Sequence, residues 1–253
     1  MTGSFADPPT ALPRFSVITA TCNAAAVLPG LVASLQAQTD GDFEWVVADG
    51  ASTDGTLECL EVAAATLNLR LDSRPDFGIY DALNRAIRLA RGDYYLVVGA
   101  DDVLEPDAIA RFRQACARTQ ADFVAAVARA GSDLIRVRSR PWEWLYAELA
   151  YVGNHSVSLA IRTRLHARYG YYSNRFPIAA DSDFILKAVH GGAVVARADF
   201  IAGEFGQAGT SGRDALGVMS EKFRILVGLG HNRIVQLLLF AVRFVVHYGK
   251  MRR

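Results

Sequence analysis

Short apolar runs alternate with amphipathic segments over the first hundred residues, and this alternation constrains the fold more than any other feature. The apolar runs are residues 15–21, 43–49, 69–73 and 94–98. Between them, residues 24–38, a segment from about residue 56 and residues 79–91 each carry one apolar face, as amphipathic helices do. Strands that alternate with helices build right-handed βαβ units and parallel sheets. The sequence therefore predicts an α/β fold with a mainly parallel central sheet flanked by helices.

The second half of the chain has a more mixed pattern. Its candidate elements are helices at 107–118, 142–149 and 181–190 and strands at 123–128, 134–138, 156–161 and 193–202. No repeat, low-complexity linker or clean boundary interrupts it. We expect one compact domain over residues 14–212, a loose tail at residues 1–13, and a helical C-terminal appendage at residues 213–253.

Composition excludes several classes of protein. The 253 residues are 51% hydrophobic and carry a net charge of +1, so we expect no nucleic-acid partner. Cys22, Cys59 and Cys116 are odd in number and lack CxxC spacing. They are typical of reduced core residues in a cytoplasmic protein, not of disulfides or a zinc site.

Two adjacent acids, Asp101 and Asp102, follow the apolar run 94–98 directly. They are expected at the carboxyl edge of the sheet, where open α/β sheets bind their ligands. Neighbouring carboxylates repel unless a cation or hydrogen-bond donors offset the charge, and such hard oxygen ligands suit Mg²⁺ or Mn²⁺. The alternative is an ordinary turn that caps the next helix.

Asp49 ends the second apolar run and opens a turn rich in Gly, Ser and Asp. Such a turn can approach a nucleotide closely and accept hydrogen bonds from a base or ribose, but it is also typical of a helix-capping turn. Asp81 and Asn84 are three residues apart opposite the apolar stripe of helix 79–91, so both are expected to point one way. A solvated polar face is the alternative, and Asp76 precedes the helix on the same rim.

A second acidic cluster stands at residues 181–183. Asp181 lies in a small-residue turn at a helix start, where the helix dipole stabilises a negative charge. It is either a base held ionised or an N-cap, and Asp183 is better explained by dipole compensation. His155 could bind phosphate or acceptor, although a lone histidine is more often structural. Residues 206–212 are a weak candidate for a phosphate-closing loop.

The chain has no G-x-G-x-x-G after its first strand and no G-x-x-x-x-G-K-[ST], which argues against dinucleotide and P-loop sites. Four ordered motifs resemble the family 2 inverting glycosyltransferases of the GT-A fold. They are residues 16–23, 48–55, 76–84 and 99–102. The resemblance covers about residues 14–210 and is strongest to the bacterial branch that builds exopolysaccharide and colanic-acid-type repeat units.

The resemblance implies a set of roles. Residues expected around the nucleotide sugar are Thr21, Asn23, Asp49, Asp76, Asp81, Asn84 and Asp101. Thr21 and Asp49 would hold the nucleobase, Asp101 the ribose side, and Asp102 the Mg²⁺ or Mn²⁺ cofactor. The catalytic Glu-Asp pair of the family matches Ala180-Asp181, which leaves Asp181 as the base.

The implied reaction is a single displacement that moves sugar from a nucleotide-diphosphate sugar, preferably a UDP-sugar, to a saccharide or polyprenyl-linked acceptor. Three rivals stay open: a retaining sugar transferase, a nucleotidyltransferase, and a non-catalytic nucleotide-sugar-binding subunit. The first would not need Asp181. This chain lacks the Gly-rich basic loop that a nucleotidyltransferase would need. The presence of Asp102 and Asp181 argues against a non-catalytic subunit.

Residues 234–246 are strongly apolar but are interrupted by Gln236 and Arg243. This length falls short of the roughly 20 residues that a membrane-spanning helix needs. One prediction is an interfacial helix at the inner face of the cytoplasmic membrane. It would bury Leu237, Phe240 and Phe244 and present Arg243, Lys250, Arg252 and Arg253 to anionic headgroups. The alternative is a helix packed on the protein itself or in a homodimer.

Overall fold

A computed structural model describes residues 12–137, 142–206 and 214–251. The strands are β1 Phe15–Thr21, β2 Phe43–Asp49, β3 Leu69–Ser73, β4 Tyr94–Val97, β5 Val103–Leu104, β6 Phe123–Ala130, β7 Asp133–Ile135, β8 Leu159–Arg162 and β9 Val195–Glu204. The helices are α1 Leu28–Gln36, α2 Thr56–Ala63, α3 Ile79–Leu89, α4 Ala108–Thr119, α5 Glu143–Tyr146, α6 Leu165–Tyr169, α7 Ala180–His190, α8 Ala215–Gly228 and α9 Arg233–Met251, with a 3-10 turn at Ala147–Ala150. Most of the predicted N-terminal tail and phosphate-closing loop, together with Arg252 and Arg253, lie outside the described residues.

The described strands form one sheet in the order β3-β2-β1-β4-β8-β6-β9-β5, with β7 paired to β6. Strands β3, β2, β1 and β4 are all parallel, and β8 then runs antiparallel between β4 and β6. Thr21 pairs with Asp49, and Asp49 with Ser73, so these strands end level with one another. The predicted α/β fold is confirmed, and its parallel half brings the loops after β1, β2 and β4 to one edge.

Helices cover the two faces of the sheet, because successive side chains of a strand point to opposite sides. Ile18 and Val46 belong to one apolar layer together with residues of α3 and α7. Val17 and Trp45 belong to the other, with residues of α1, α2 and α4. Strands buried on both faces read as continuous apolar runs, which is why β1 and β2 were recognisable in the sequence.

Three expected core positions prove to be exposed. Helix α1 begins at Leu28, four residues later than predicted, with Pro29 in its first turn, and this leaves Val27 exposed. Ile79 is the first residue of α3 and lies at the edge of a cavity rather than in the core. Cys22 is exposed, whereas Cys116 is buried, and all three cysteines are free as predicted.

The C-terminal appendage is helical, as predicted, but two of the α9 residues expected at a membrane surface contact the protein instead. Gln236 is buried and donates to the carbonyl oxygen of Trp144 at 2.7 Å, and Arg243 donates to the carbonyl oxygen of Leu145. The ring of Phe240 packs edge-on against that of Phe223 of α8, with 6.1 Å between the ring centroids. The prediction that Phe240 and Arg243 face a membrane is therefore wrong, because both face the protein.

The outward face of α9 is apolar and includes Leu237 and Phe244, two of the residues expected there. Its exposed side chains are Ile234, Val235, Leu237, Leu238, Val242, Phe244, Val245, Val246 and Tyr248. Within the described residues, no helix has the length and apolar character to cross a membrane.

Candidate active site

A cavity of about 170 Å³ opens at the carboxyl ends of β1 and β4. Its polar walls come from three distant segments: Asp101 and Asp102 after β4, Asn154–Ser156 before β8, and Asp181 at the start of α7. The βαβ order places the loop after β4 at this edge, and β8 returns beside β4 so that residues 154–156 meet it. Four residues predicted from the sequence (Asp101, Asp102, His155 and Asp181) therefore share one cavity.

Asp102 is held rigidly in the cavity wall and is only 1% exposed. Its Oδ2 accepts from the backbone N–H of Gly99 and the hydroxyl of Ser156, both at 2.6 Å, and its Oδ1 accepts from the N–H of Gly206 at 2.7 Å. Burial raises the pKa of Asp102 above its usual value, although these three hydrogen bonds oppose the shift. A cation beside the carboxylate would offset the same cost of burial.

The donor chemistry of this wall fits a divalent cation. Asp101 and Asp102 are adjacent carboxylates, and oxygen ligands of this type suit Mg²⁺ or Mn²⁺. Oδ1 of Asp102 accepts only the Gly206 N–H among the described residues and so keeps lone-pair capacity. A Cβ at Gly206 would lie 2.3 Å from the carboxylate of Asp101, so glycine is needed for this close approach.

Asp181 stands in the first turn of α7 and faces the cavity. The hydroxyl of Tyr80 donates to its Oδ1 at 2.7 Å and also lies 2.9 Å from the carbonyl oxygen of Ile178. Nδ1 of His155 is 3.8 Å from its Oδ2. Asp183, in contrast, is buried and bonded to Lys187 at 2.6 Å. Of the two neighbouring acids, Asp181 alone lines the cavity.

A buried hydrogen-bond chain leads away from His155. Its Nε2 lies 2.7 Å from the hydroxyl of Tyr172, which lies 2.9 Å from the hydroxyl of Tyr95. Tyr95 is 2.7 Å from Nε2 of His166, whose Nδ1 is 3.0 Å from the carbonyl oxygen of Gly170. Sequence reasoning missed this chain, because its members lie on separate segments with no local motif.

The chain fixes which nitrogen of His155 carries the proton. A carbonyl oxygen can only accept, so Nδ1 of His166 is the donor; burial lowers the pKa of His166 to about 4, and its Nε2 is then an acceptor. Tyr95 donates to that Nε2, Tyr172 donates to Tyr95, and His155 donates to Tyr172 through Nε2–H. Burial also lowers the pKa of His155, while the charge of Asp181 opposes this. Neutral His155 therefore presents an unprotonated Nδ1 towards Asp181.

Asp49 lies elsewhere, at the end of β2, and is 0% exposed. Its carboxylate accepts from the Thr21 hydroxyl at 2.9 Å, the Ser52 N–H and hydroxyl at 2.9 and 2.5 Å, and the Ser73 hydroxyl at 2.8 Å. Burial alone would raise the pKa of Asp49, but these hydrogen bonds outweigh it and hold the pKa below its usual value. Thr21 and Asp49 are both buried and are paired with each other, and their expected contact with the nucleobase stays a prediction.

Asn84 also differs from the prediction. It is buried, and its amide exchanges two hydrogen bonds with the backbone of Tyr172, at 2.8 and 2.9 Å. It therefore holds the segment that carries Tyr172 and does not share a polar face with Asp81. Asp81 stays partly exposed and accepts from the N–H of Phe77 at 3.4 Å.

Asp76 and Asn23 line an open rim between the ends of β1 and β2. Oδ2 of Asp76 would lie 2.7 Å from a Cβ at Gly50, so the two segments touch only because residue 50 is glycine. Asn23 is exposed and accepts from the N–H of Thr53 at 2.9 Å. Sequence reasoning missed Arg85, which is buried and pairs with Asp76 at 3.6 Å behind this rim.

Glu221 of α8 was also missed. Its Oε2 accepts from the backbone N–H groups of Ile178 and Ala179 at 3.0 and 2.8 Å. Those two residues lie three and two positions before Asp181, so α8 helps to hold the backbone that leads to the candidate base. No local sequence pattern indicates this contact, since a glutamate in a helix is ordinarily exposed to solvent.

Comparison with known proteins agrees with this fold. The profile of glycosyl transferase family 2 matches residues 16–179. The PGL/p-HBAD biosynthesis glycosyltransferase of Mycobacterium tuberculosis is 38% identical over 200 residues, which cover 74% of this chain and 74% of that protein. The chain is thus a glycosyltransferase that uses a nucleotide sugar. It belongs to glycosyl transferase family 2.

Solved structures show the same GT-A-like fold. TarS residues 1–349 of S. aureus in complex with UDP-GlcNAc has a TM-score of 0.69 at 20% identity, covering 93% of this chain and 73% of that one. The mannosyltransferase PcManGT of Pyrobaculum calidifontis, in complex with GDP-Man and Mn²⁺, has a TM-score of 0.70 at 22% identity, covering 94% and 71%. The chain spans 42% of a longer S. aureus TarS chain.

Proposed function

We propose that this chain is a metal-dependent inverting glycosyltransferase that moves a sugar from a nucleotide-diphosphate sugar to a hydroxyl of a saccharide or lipid-linked acceptor. The observation that carries the proposal is the shared cavity, which has a carboxylate pair in one wall and a single further acid, Asp181, in another. One base and one leaving-group site are what a single displacement at the anomeric carbon requires.

Asp181 takes the proton of the attacking acceptor hydroxyl, a role typically worth about 10²–10⁴-fold in rate. Tyr80 fixes the orientation of its carboxylate by donating to Oδ1. The unprotonated Nδ1 of His155 stands beside Oδ2 at 3.8 Å and accepts a hydrogen bond from a second hydroxyl of the acceptor. Attack from one side and departure of the nucleoside diphosphate from the other inverts the anomeric carbon.

Asp102, with Asp101 beside it, would hold a Mg²⁺ or Mn²⁺ ion. The ion would neutralise charge that develops on the departing diphosphate. The buried hydrogen bonds of Asp102 keep its carboxylate oriented without the ion. Mn²⁺ in the complex of PcManGT supports this choice of metal.

A UDP-sugar is our proposed donor, with Asn23, Asp76, Asp81 and Asp101 as its contacts. TarS binds UDP-GlcNAc and PcManGT binds GDP-Man, so donors of both classes occur on this fold. The acceptor is proposed as a growing glycan or glycolipid. Among relatives, one is named for PGL/p-HBAD biosynthesis and another, in Pasteurella multocida, is a chondroitin synthase that matches 39% of this chain. An exopolysaccharide acceptor is one member of that class.

The test is a panel of UDP- and GDP-sugars with Mn²⁺ and the wild-type protein. We expect release of nucleoside diphosphate from one donor class, and a product of inverted anomeric configuration by NMR. UDP should raise the melting temperature only when Mg²⁺ or Mn²⁺ is present, because ligands that bind the native state stabilise it. A retained anomeric configuration would refute the inverting mechanism.

Asp102→Asn should abolish the metal-dependent part of the UDP stabilisation. Glu105→Gln is a matched control, since Glu105 is an acid three residues further along that pairs with Arg129 on the surface at 3.5 Å. If Asp102→Asn and Glu105→Gln respond alike, Asp102 does not hold the metal.

We also propose that the outward face of α9 lies on an anionic membrane surface, at the inner face of the cytoplasmic membrane. Its apolar row is exposed, Trp142 and Trp144 are exposed beside it, and the sequence ends with Lys250, Arg252 and Arg253. Apolar side chains, interfacial tryptophans and basic residues are together typical of helices that bind anionic headgroups. This placement would bring the cavity to a polyprenyl-linked acceptor.

Flotation with anionic vesicles at low salt tests this placement. The variant Leu238→Glu with Val245→Glu should lose vesicle binding. Val62→Glu, at an exposed valine of α2, should retain it. A wild-type protein that never floats overturns the membrane assignment, and a dimer in light scattering that Leu238→Glu dissolves would assign the face to a second copy.

A further inference from the structure

Glu143, His190 and His231 converge on one point away from the candidate active site. They come from the first residue of α5, the last residue of α7 and the connection between α8 and α9. Nε2 of His190 lies 2.8 and 2.9 Å from the two carboxylate oxygens of Glu143, and Nε2 of His231 lies 2.7 Å from Oε1. One ligand atom from each residue lies within 4.8 Å of the others.

From this convergence we propose that Glu143, His190 and His231 form a zinc site. Two imidazoles and one glutamate are a set that Zn²⁺ uses in proteins, with water as a fourth ligand. A tetrahedral ion with bonds of about 2.0–2.1 Å separates its ligand atoms by about 3.3 Å. The present spacing between the histidine nitrogens and the carboxylate therefore needs to widen by only about half an ångström.

The surroundings of the cluster favour a metal over a simple ion pair. The hydroxyl of Tyr151 donates to Oε2 of Glu143 at 2.6 Å, which turns Oε1 towards both imidazoles. Second-shell hydrogen bonds of this kind orient the ligands of protein metal sites. His190 is partly exposed, which leaves room for a water ligand.

Such an ion would clamp the C-terminal helices onto the catalytic domain. His231 belongs to the connection between α8 and α9, whereas Glu143 and His190 belong to the body that carries the cavity. Because Glu221 of α8 bonds the backbone before Asp181, a clamp on this connection would also stabilise the candidate base. The role is structural and separate from the cation beside Asp102.

The experiment uses the full chain purified without a histidine tag, stripped with a chelator and titrated calorimetrically with zinc sulfate alone. We expect one Zn²⁺ per chain, and a higher melting temperature on binding. His190→Gln and His231→Gln keep a hydrogen-bonding side chain but lose the imidazole, and each should weaken affinity by more than 100-fold. Tyr151→Phe should weaken it by about 10–100-fold.

Two controls separate this site from other zinc ligands. Asp102→Asn should bind Zn²⁺ as the wild type does, which keeps the result independent of the proposed transferase mechanism. Cys22→Ser should do the same, since Cys22 is an exposed thiol. Absence of binding to the wild type, or unchanged affinity in both histidine variants with native circular dichroism, would overturn the proposal. Co²⁺ gives a second readout, because its visible spectrum should appear in the wild type and vanish in His231→Gln.

Discussion

The turn after β2 and the turn after β4 place acids at the same edge of the sheet but use them differently. In the first, Asp49 is fully buried, and its carboxylate accepts hydrogen bonds from Thr21, Ser52 and Ser73. In the second, Asp101 and Asp102 line a cavity, and Oδ1 of Asp102 has spare capacity. An acid at a strand end is therefore a candidate ligand only when local donors do not satisfy it.

The difference originates in the neighbouring residues. The turn after β2 is rich in hydroxyl groups, and Ser52 alone supplies two donors to Asp49. The turn after β4 contains Gly99 and Ala100, which offer no side-chain donors. Gly99 donates its backbone N–H to Asp102, and the other donors to that carboxylate, Ser156 and Gly206, come from distant segments. Hydrogen bonds thus engage both oxygens of Asp49 twice, whereas Oδ1 of Asp102 accepts one hydrogen bond among the described residues and keeps capacity for a ligand.

The largest effect should come from Asp181→Asn, which keeps the shape of the side chain but cannot take the proton. Transfer should fall at least 10²-fold while UDP binding changes little. Asp183→Asn is the matched control, because Asp183 pairs with Lys187 and does not line the cavity. Near-normal turnover in Asp181→Asn would remove the general base from the mechanism.

A smaller effect, on stability rather than turnover, is expected for Asp49→Asn. Loss of hydrogen bonds to a buried carboxylate should lower the free energy of unfolding by about 1–3 kcal/mol. Because folding holds the pKa of Asp49 below its ordinary value of 3.8, its contribution is complete above that pH and is lost as the pH falls through the folded-state pKa. Urea titrations should therefore show the difference from wild type at pH 7 and a shrinking one below pH about 3.8. A difference that stays constant into strong acid would show that the charge of Asp49 is not responsible.

The finest comparison is between two serines that each donate to a carboxylate. Ser52→Ala should cost about 1 kcal/mol of stability, with metal-dependent UDP binding unchanged. Ser156→Ala should lower the metal affinity about tenfold, because the Ser156 hydroxyl orients Asp102 through a hydrogen bond of 2.6 Å. The metal-dependent stabilisation by UDP should weaken accordingly. Melting curves with UDP and varied Mn²⁺ measure both. If both variants show the same metal-dependent stabilisation by UDP, the proposed difference between the two turns is wrong.

The parallel half of the fold was predictable, because buried strands and amphipathic helices leave periodic patterns that survive in the sequence. Asp101, Asp102, His155 and Asp181 were also found, since three of them are acids placed where the topology ends a strand or begins a helix. The buried hydrogen-bond partners of Asp49 and Asn84 were not apparent from the sequence. Whether a polar side chain faces a cavity depends on partners such as Tyr172, which is far away in the chain.

The bonds from Glu221 to residues 178 and 179 have a consequence for how this enzyme can be divided or recombined. The match to the family ends at residue 179, just before Asp181. A hybrid that joins this domain to the tail of another family member would keep every recognisable motif, yet leave the backbone under Asp181 without its carboxylate partner. Exchange of acceptor specificity between such enzymes should therefore succeed only when α7 and α8 are taken from the same parent protein.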